Sequence, residues 1–310
     1  MQQMSSECEE VPMLCRIIFM TLALCAAAAE VGLAGGRPPS IAEKVRVVRD
    51  IPYAPENGKF GLGDLFLPDK ASASTPLVLT IHGGGWSGGD RASWEGVARY
   101  FTEELGFAAF NIEYRLASVS NCWPACGNDC VNAARFVLSD EFKKRFSLSH
   151  DKIWICGGSA GGHLALWTLV NLPPDDVAGC VSISAIGDPV PEFRAHRKRY
   201  FPLFGTKVDE DALTAMNPVP KIKPGMAPLL CTHTGGDTVV PIASHMAFAD
   251  AYRAVGNACT FFEYSASVCE GLTGHCIWRP KSHPHKLIAP IENMIMDFVT
   301  KTGKRGNAEK

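Results

Sequence analysis

Short apolar runs alternate with longer segments of helical spacing along most of this chain. The apolar runs predict strands over Val45–Pro52, Gly61–Leu67, Pro76–Ile81, Phe107–Glu113, Ile153–Cys156, Ala178–Ser184, Ala227–Thr232 and Cys259–Tyr264. Apolar residues that recur every three or four positions predict helices over Trp94–Leu105, Asn128–Leu138, Ala160–Asn171, Ala243–Val255 and Leu287–Thr302. Strands and helices that alternate in this way form a mainly parallel sheet with helices on both faces. The pattern therefore predicts an α/β fold.

One long segment interrupts the alternation. Pro189–Gly225 has no clean period and carries scattered proline and charged residues, so we expect it to form a small cap insertion over the sheet. A chain of 310 residues is long enough for one large α/β domain. We place this domain at 45–302, with a linker at 30–44 before it and a polar tail at 303–310 after it.

The N-terminal segment has the pattern of an export signal. Arg16 precedes the apolar stretch Ile17–Cys25, and the small residues Ala26–Ala29 follow it. A charged residue, a short apolar core and small residues at the cleavage position are typical of a secretory signal. The apolar core is too short for a stable membrane span. We therefore expect a signal peptide over residues 1–29, a mature chain that begins near Glu30, and a secreted or periplasmic location.

The overall charge argues against nucleic acid as a partner. Hydrophobic residues make up 46% of the chain and charged residues 20%, which is ordinary for a globular protein. The formal net charge is −2. The compact basic run His196–Arg199 is expected to form a solvated face. The sequence leaves the oligomeric state open.

The twelve cysteines fall into groups with different expected roles. Cys156, Cys180 and Cys231 lie in predicted core strands, and we expect them to act as small buried hydrophobic residues. Six others lie in or near predicted loops and could pair in an exported protein, with the pairing left open: Cys122, Cys126, Cys130, Cys259, Cys269 and Cys276. The chain contains no Cys-x-x-Cys pair, so we expect no zinc site.

The segment Gly157–His163 carries the strongest chemical signal. It lies between a predicted strand and a predicted helix, and it has the pattern Gly-x-Ser-x-Gly centred on Ser159. A tight turn between a strand and a helix is the setting of a nucleophile elbow, which projects its serine from the end of the sheet. The alternative is a glycine-rich turn with an idle serine.

A second glycine-rich segment, His82–Trp86, directly follows the third predicted strand. Consecutive glycines leave backbone N–H groups uncovered, and such donors stabilise the oxyanion of acyl transfer. We expect Gly84 and Gly85 to supply two donors and Ala160, directly after the elbow serine, to supply another. A phosphate-binding loop is the alternative, but its Gly-Lys-Ser/Thr ending is missing. We expect His82 to brace the loop.

Asp237 is the expected triad acid. It follows the late strand Ala227–Thr232, and in this class of enzyme the chain order is serine, acid, histidine. The acid fixes the tautomer of the histidine and stabilises the imidazolium. Asp188, which follows an earlier strand, is the rival.

His275 is the expected general base. It lies after the last predicted strand and before the closing helix, in the right place and order. His283 and His285 follow shortly after it and remain alternatives. His163, on the elbow helix, and His233, at the end of a strand, suit structural roles.

Taken together, these motifs resemble the α/β-hydrolase fold, and specifically its bacterial esterase/lipase branch with the hormone-sensitive-lipase-like glycine loop. The resemblance extends from about Val45 to about Thr302. It is carried by His82–Trp86, Glu113–Leu116, Trp123–Ala125 with Asp129 and Cys130, Gly157–His163, Asp237 with Val240 and Pro241, and Gly274 with His275. Within the branch the chain is similar to secreted acetyl and feruloyl esterases. It departs from the branch at Gly158, where Asp or Glu is common, and in the longer loop Val268–Cys276.

The resemblance implies a serine esterase that forms an acyl-enzyme and requires neither a metal nor an organic cofactor. In this mechanism Ser159 attacks the ester, His275 is the base and Asp237 orients it. The implied oxyanion hole consists of the N–H groups of Gly84, Gly85 and Ala160.

The expected substrates are small acyl esters on carbohydrate, as small molecules or polysaccharides. The predicted cap carries many charges, which suit a long aliphatic chain poorly. Trp86 and Trp278 flank the oxyanion and histidine loops and could bind a sugar ring or a feruloyl group, or could simply pack these loops.

Three other hypotheses remain. The chain could be a lipase or general carboxylesterase, or a catalytically silent binding protein of the same fold, although no triad member is missing. It could also be an amidase similar to the prolyl peptidases, which share the fold and elbow. Those enzymes usually carry a large N-terminal propeller, for which we expect no room in this chain.

Overall fold

The fold was analysed in a computed structural model that describes residues 45–265, 267, 274–275, 277 and 286–308. The predicted signal peptide and the linker lie outside these residues. The described residues belong to one compact unit, Glu43–Lys310. Its strands are β1 (Val45–Pro52), β2 (Leu62–Pro68), β3 (Leu77–Ile81), β4 (Ala108–Ile112), β5 (Ile153–Gly158), β6 (Val177–Ile183), β7 (Leu229–His233) and β8 (Cys259–Glu263).

The strands form a single sheet in the order β1-β2-β4-β3-β5-β6-β7-β8. β2 runs antiparallel to β1 and β4, and every pairing from β4 through β3 to β8 is parallel. All residues of β3, β4, β5 and β7 are buried, which explains why they form continuous apolar runs. The predicted mainly parallel sheet is confirmed.

Helices cover both faces of the sheet. They are α1 (Arg91–Glu103), α2 (Ala125–Leu138), α3 (Asp140–Phe146), α4 (Ala160–Asn171), α5 (Pro189–His196), α6 (Phe201–Phe204), α7 (Glu210–Thr214), α8 (Ile242–Ala254) and α9 (Ala289–Ala308). Because side chains alternate along a strand, Leu77 and Leu79 of β3 join one core with α2, α4 and α8. Val78 joins the opposite core with α1 and α9.

The short helices α5, α6 and α7 lie in the segment predicted to form a cap. Each is too short to show a clear helical period in the sequence, because eight residues or fewer make little more than two turns. The short helix α3 was missed for the same reason. Its N-cap is Ser139, whose hydroxyl accepts a hydrogen bond from the Phe142 N–H at 3.3 Å.

The closing helix α9 continues to Ala308, so the predicted boundary at Thr302 falls inside a helix. Among the described helices, none combines the length and the apolar character that crossing a membrane requires. The same part of the chain holds no cluster of three or more histidine, cysteine or acidic side chains arranged to bind a metal.

Seven cysteines lie in the described residues, and all are free thiols. Cys156, Cys180 and Cys231 are buried in the strands β5, β6 and β7, in the positions predicted for them. Cys126 and Cys130 are also buried, in the first two turns of α2. Cys269 and Cys276 lie outside the described residues.

Candidate active site

The sharp turn between β5 and α4 holds Ser159 in an unusual backbone conformation. Its φ is 57° and its ψ is −124°, a strained combination for a residue with a side chain. The Ser159 N–H donates to the carbonyl of Ile183 on β6 at 2.8 Å, which ties the turn to the neighbouring strand. A Cβ on Gly161 would lie 2.3 Å from the Ile81 carbonyl oxygen, so only glycine lets helix and strand approach this closely. The turn has the geometry of a nucleophile elbow.

The glycine loop after β3 lies directly against this elbow. A Cβ on Gly83 would be 3.2 Å from the Ser159 Cβ. Gly84 has a φ of 122°, which side chains rarely adopt, and its carbonyl accepts a hydrogen bond from the Gly88 N–H at 2.9 Å. Gly84, Gly85 and Ala160 all line the same cavity as Ser159. The structure thus brings the three expected donors of the oxyanion hole beside the serine.

Asp237 and His275 meet at the other side of the cavity. His275 Nδ1 lies 2.7 Å from Asp237 Oδ2, and the second carboxylate oxygen accepts the N–H groups of Val239 at 2.9 Å and Val240 at 2.8 Å. Burial alone would raise the pKa of Asp237, but hydrogen bonds with His233 and His275 outweigh it and hold that pKa well below its ordinary value. Because Asp237 occupies Nδ1, the other ring nitrogen of His275, Nε2, is the one left for Ser159.

The rival acid Asp188 has other partners. Its Oδ1 accepts the Val190 N–H at 3.0 Å, as the N-cap of α5, and the side-chain amide of Asn217 at 3.2 Å. These bonds direct the Asp188 carboxylate into the cap. The geometry favours Asp237 as the partner of His275.

The cavity in front of Ser159 has a volume of about 460 Å³. Besides the elbow, the glycine loop and His275, its described lining is largely apolar: Trp94, Ile186, Val239, Val240 and Ile277. The cap contributes Arg199, whose guanidinium donates to the Val239 carbonyl at 2.7 Å and pairs with the carboxylate of Glu192.

Arg199 was expected on a solvated face, and that expectation is wrong. Its side chain is only 22% exposed, because the buried Glu192 holds it against the cavity. No local pattern indicates this position, since Arg199 belongs to an ordinary basic run and its pairing with Glu192 depends on how the cap folds.

Trp86 was expected to contact substrate, and the structure contradicts this. The side chain is fully buried, its Nε1 donates to His163 Nδ1 at 3.2 Å, and its ring packs against Tyr200 of the cap. His163 Nε2 in turn donates to the Met216 carbonyl at 2.9 Å. The side chain of Trp86 therefore packs the glycine loop against the elbow helix and the cap. Trp278, the other expected substrate contact, lies outside the described residues, as do His283 and His285.

His82 occupies the position expected of a brace. It is buried, its ring stacks on Tyr114 with 4.2 Å between centroids, and its Nδ1 lies 2.7 Å from the Gly83 carbonyl. It is absent from the described cavity lining.

Two family models match this chain. The model of the prolyl oligopeptidase family matches residues 124–282, about half of the chain and the part that contains Ser159, Asp237 and His275. The chain belongs to the prolyl oligopeptidase family. A second model, described as BD-FAE, matches residues 63–172, which include the glycine loop and the elbow. The predicted resemblance to the α/β-hydrolases is confirmed.

Curated relatives of this family member include named esterases. The chain is 30% identical over 159 residues to the versiconal hemiacetal acetate esterase of Aspergillus parasiticus, over 49% of this chain and 46% of that protein. It is 28% identical over 228 residues to the probable carboxylic ester hydrolase LipM of Mycobacterium tuberculosis, over 66% of this chain and 52% of that protein. The chain spans about half the length of these relatives.

Solved structures share the fold of this family member at low sequence identity. A truncated carbohydrate esterase from gut microbiota superposes with a TM-score of 0.69 at 18% identity, over 84% of this chain and 96% of that one. Esterase B from Lactobacillus rhamnosis superposes with a TM-score of 0.66 at 20% identity, over 86% of this chain and 89% of that one. Both similarities establish the α/β-hydrolase fold.

Proposed function

We propose that this protein is a serine hydrolase of carboxylic esters. The observation that carries the proposal is the shared cavity. Ser159, on a strained elbow, and His275, whose Nδ1 is held at 2.7 Å by Asp237, both line it. A serine is a weak nucleophile on its own and requires a base to take its proton, and the base requires a fixed tautomer. The relatives named as esterases support the same class of reaction.

The proposed reaction has two halves. Ser159 Oγ attacks the ester carbonyl while His275 Nε2 takes its proton, and the imidazolium then gives that proton to the departing alcohol. Water next attacks the acyl-enzyme, with His275 again as the base, and releases the acid. Asp237, ionised because its pKa is low, stabilises the imidazolium in both halves.

The oxyanion formed in each half needs donors that are already in place. Gly84, Gly85 and Ala160 line the cavity beside Ser159, and their N–H groups are the proposed donors. Donors fixed before the reaction stabilise developing charge without reorganising, and the loss of one such donor typically costs about 10²- to 10³-fold in kcat. The buried side chains of His82 and Trp86, at the two ends of the glycine loop, hold it in this position.

The proposed substrates are small acyl esters on carbohydrate. A cavity of about 460 Å³ lies at the small end of ligand-binding cavities. The guanidinium of Arg199 on its cap side suits hydroxyl-rich alcohols better than aliphatic chains. The name of one structural relative, a carbohydrate esterase, supports this choice. Because Trp86 is buried, it cannot serve as an aromatic platform for a sugar ring, and it does not support the carbohydrate proposal.

Rates on p-nitrophenyl esters of increasing acyl length test the substrate class. We expect the highest kcat/KM on acetate and a steep fall towards palmitate, because the cavity and its charged cap offer little space for a long chain. We also expect release of acetic or ferulic acid from acylated xylan. A maximum on the long-chain esters, with no acid released from xylan, would identify a lipase and contradict the carbohydrate proposal.

Amide hydrolysis is the second candidate function, because the matching family model is that of the prolyl oligopeptidases. An aminoacyl p-nitroanilide carries an amide bond in place of the ester. It releases coloured p-nitroaniline, as the esters release coloured p-nitrophenolate. The esterase proposal predicts turnover of p-nitrophenyl acetate and little turnover of the anilide. Faster turnover of the anilide, abolished by the substitution Ser159→Ala, would make peptidase activity the function.

Export of the protein is also a proposal, and it rests on the run from Arg16 to Ala29. We expect N-terminal sequencing of material from the native host to begin near Glu30 or Val31. Recovery of an uncleaved chain from the cytosol would contradict export, and it would leave the esterase proposal unaffected.

A further inference from the structure

Two fully buried histidines lie behind the carboxylate that holds His275. His233 is the last residue of β7, and its Nε2 lies 3.1 Å from Asp237 Oδ2 and 3.1 Å from the Val240 carbonyl oxygen. His245, on α8, faces it, with the two Nδ1 atoms 3.1 Å apart. His233, expected from the sequence to be structural only, thus shares one carboxylate oxygen with the proposed catalytic base.

The partners of these rings fix where their protons lie. A carboxylate oxygen and a carbonyl oxygen can only accept, so Nε2 of His233 carries the proton and donates to them. Nδ1 of His233 faces Nδ1 of His245 at 3.1 Å, and the pairing that we assign has His245 as the donor and His233 as the acceptor. Burial lowers the pKa of His245 well below its ordinary value, so this ring is neutral.

Both oxygens of the Asp237 carboxylate therefore accept hydrogen bonds. One oxygen accepts from His275 and His233, and the other accepts from the N–H groups of Val239 and Val240. Rotation of the carboxylate would break several of these bonds at once. An N–H donor on the shared oxygen also offsets part of the negative charge that His275 experiences.

We propose that His233 is a positioning residue of the hydrolytic site, locked in one tautomer by His245. It acts through Asp237: it holds the carboxylate in the orientation that His275 requires, and it moderates the charge of the oxygen they share. Among the described residues, Tyr264, directly after β8, also interacts electrostatically with Asp237. The inference rests on the proposed function, because it assigns a role within that reaction.

The variants His233→Leu and His233→Gln test this role in the full chain with p-nitrophenyl acetate. Leucine removes the donor, and we expect kcat to fall about tenfold to a hundredfold with KM little changed, by analogy with the loss of a hydrogen-bond partner behind a metal-ligating histidine. The less compensated charge on Asp237 then favours the protonated form of His275, so the acid limb of the kcat/KM profile moves to higher pH. Glutamine keeps an N–H donor near the position of Nε2. It should restore much of kcat and return the acid limb towards its wild-type pH.

His150→Leu is the matched control. His150 is also buried, and its Nε2 donates to the Val137 carbonyl at 2.9 Å, before β5. We expect this variant to lower Tm without moving the acid limb. A folded His233→Leu protein with the wild-type rate and profile would overturn the proposal, as would an equal shift of the acid limb in His150→Leu.

The tautomers provide a readout that does not depend on activity. Long-range ¹⁵N–¹H NMR of the wild-type chain should show a proton on Nε2 of His233 and on Nδ1 of His245. The opposite tautomer on either ring would overturn the proposal even in an active enzyme. Absence of all ester turnover in a protein with the expected tautomers would contradict the esterase function. The hydrogen bonds that link His245, His233 and Asp237 would still stand.

Discussion

Replacement of Ser159 by alanine should lower kcat/KM for p-nitrophenyl acetate by about 10⁴-fold or more. The change removes one hydroxyl from a residue that lines the cavity, and it leaves the backbone bond from its N–H to Ile183 in place. The fold should therefore persist, with a far-UV circular dichroism spectrum and Tm close to those of the wild type. A folded variant that kept more than about a tenth of the wild-type activity would show that Ser159 is not the nucleophile.

Ser182→Ala is the matched control for this variant. Ser182 lies on β6 beside the elbow strand, is buried, and donates to the Gly162 carbonyl at 3.3 Å. Its loss removes a hydroxyl near the elbow without touching the cavity lining. We expect activity within a few-fold of wild type, so a large loss in both variants would point to distortion of the elbow.

Replacement of Asp237 by asparagine should lower kcat by about 10⁴-fold, the loss typical of a triad acid converted to its amide. An asparagine amide group that faced Nδ1 of His275 would favour the wrong tautomer, with the proton on the nitrogen needed by Ser159. The measurement is kcat for p-nitrophenyl acetate near neutral pH, with Tm as the check on folding.

Asp188→Asn distinguishes the two candidate acids. Asparagine caps helices about as well as aspartate, so α5 should keep its N-cap and activity should stay within a few-fold of wild type. A large loss in Asp188→Asn together with a nearly normal Asp237→Asn variant would reverse the assignment.

The sheet and the elbow could be predicted because their signals are local in the sequence. The apolar runs of the parallel strands are continuous, since both faces of the sheet are covered. The glycines around Ser159 are required by close approach of the backbone, and this requirement is visible in the residue types alone. Asp237 and His275 followed from chain order, and the structure brings them together.

The remaining features depend on contacts between distant segments. Arg199 lines the cavity only because the cap folds so that Glu192 and Val239 hold its guanidinium. Trp86 is buried because His163 and Tyr200 close over it, which no local pattern indicates. The role inferred for His233 likewise depends on His245, which lies 12 residues further along the chain, on a helix.

The central claim is that Ser159 is the nucleophile of an ester hydrolase, and covalent labelling tests it most directly. Diethyl p-nitrophenyl phosphate mimics an ester, and an activated serine displaces its p-nitrophenolate and keeps the phosphoryl group. Peptide mass spectrometry of the wild-type chain should locate the diethylphosphoryl group on Ser159, with one p-nitrophenolate released per chain and parallel loss of p-nitrophenyl acetate turnover. A chain that hydrolyses p-nitrophenyl acetate but remains unlabelled, or carries the label on another residue, would contradict the account.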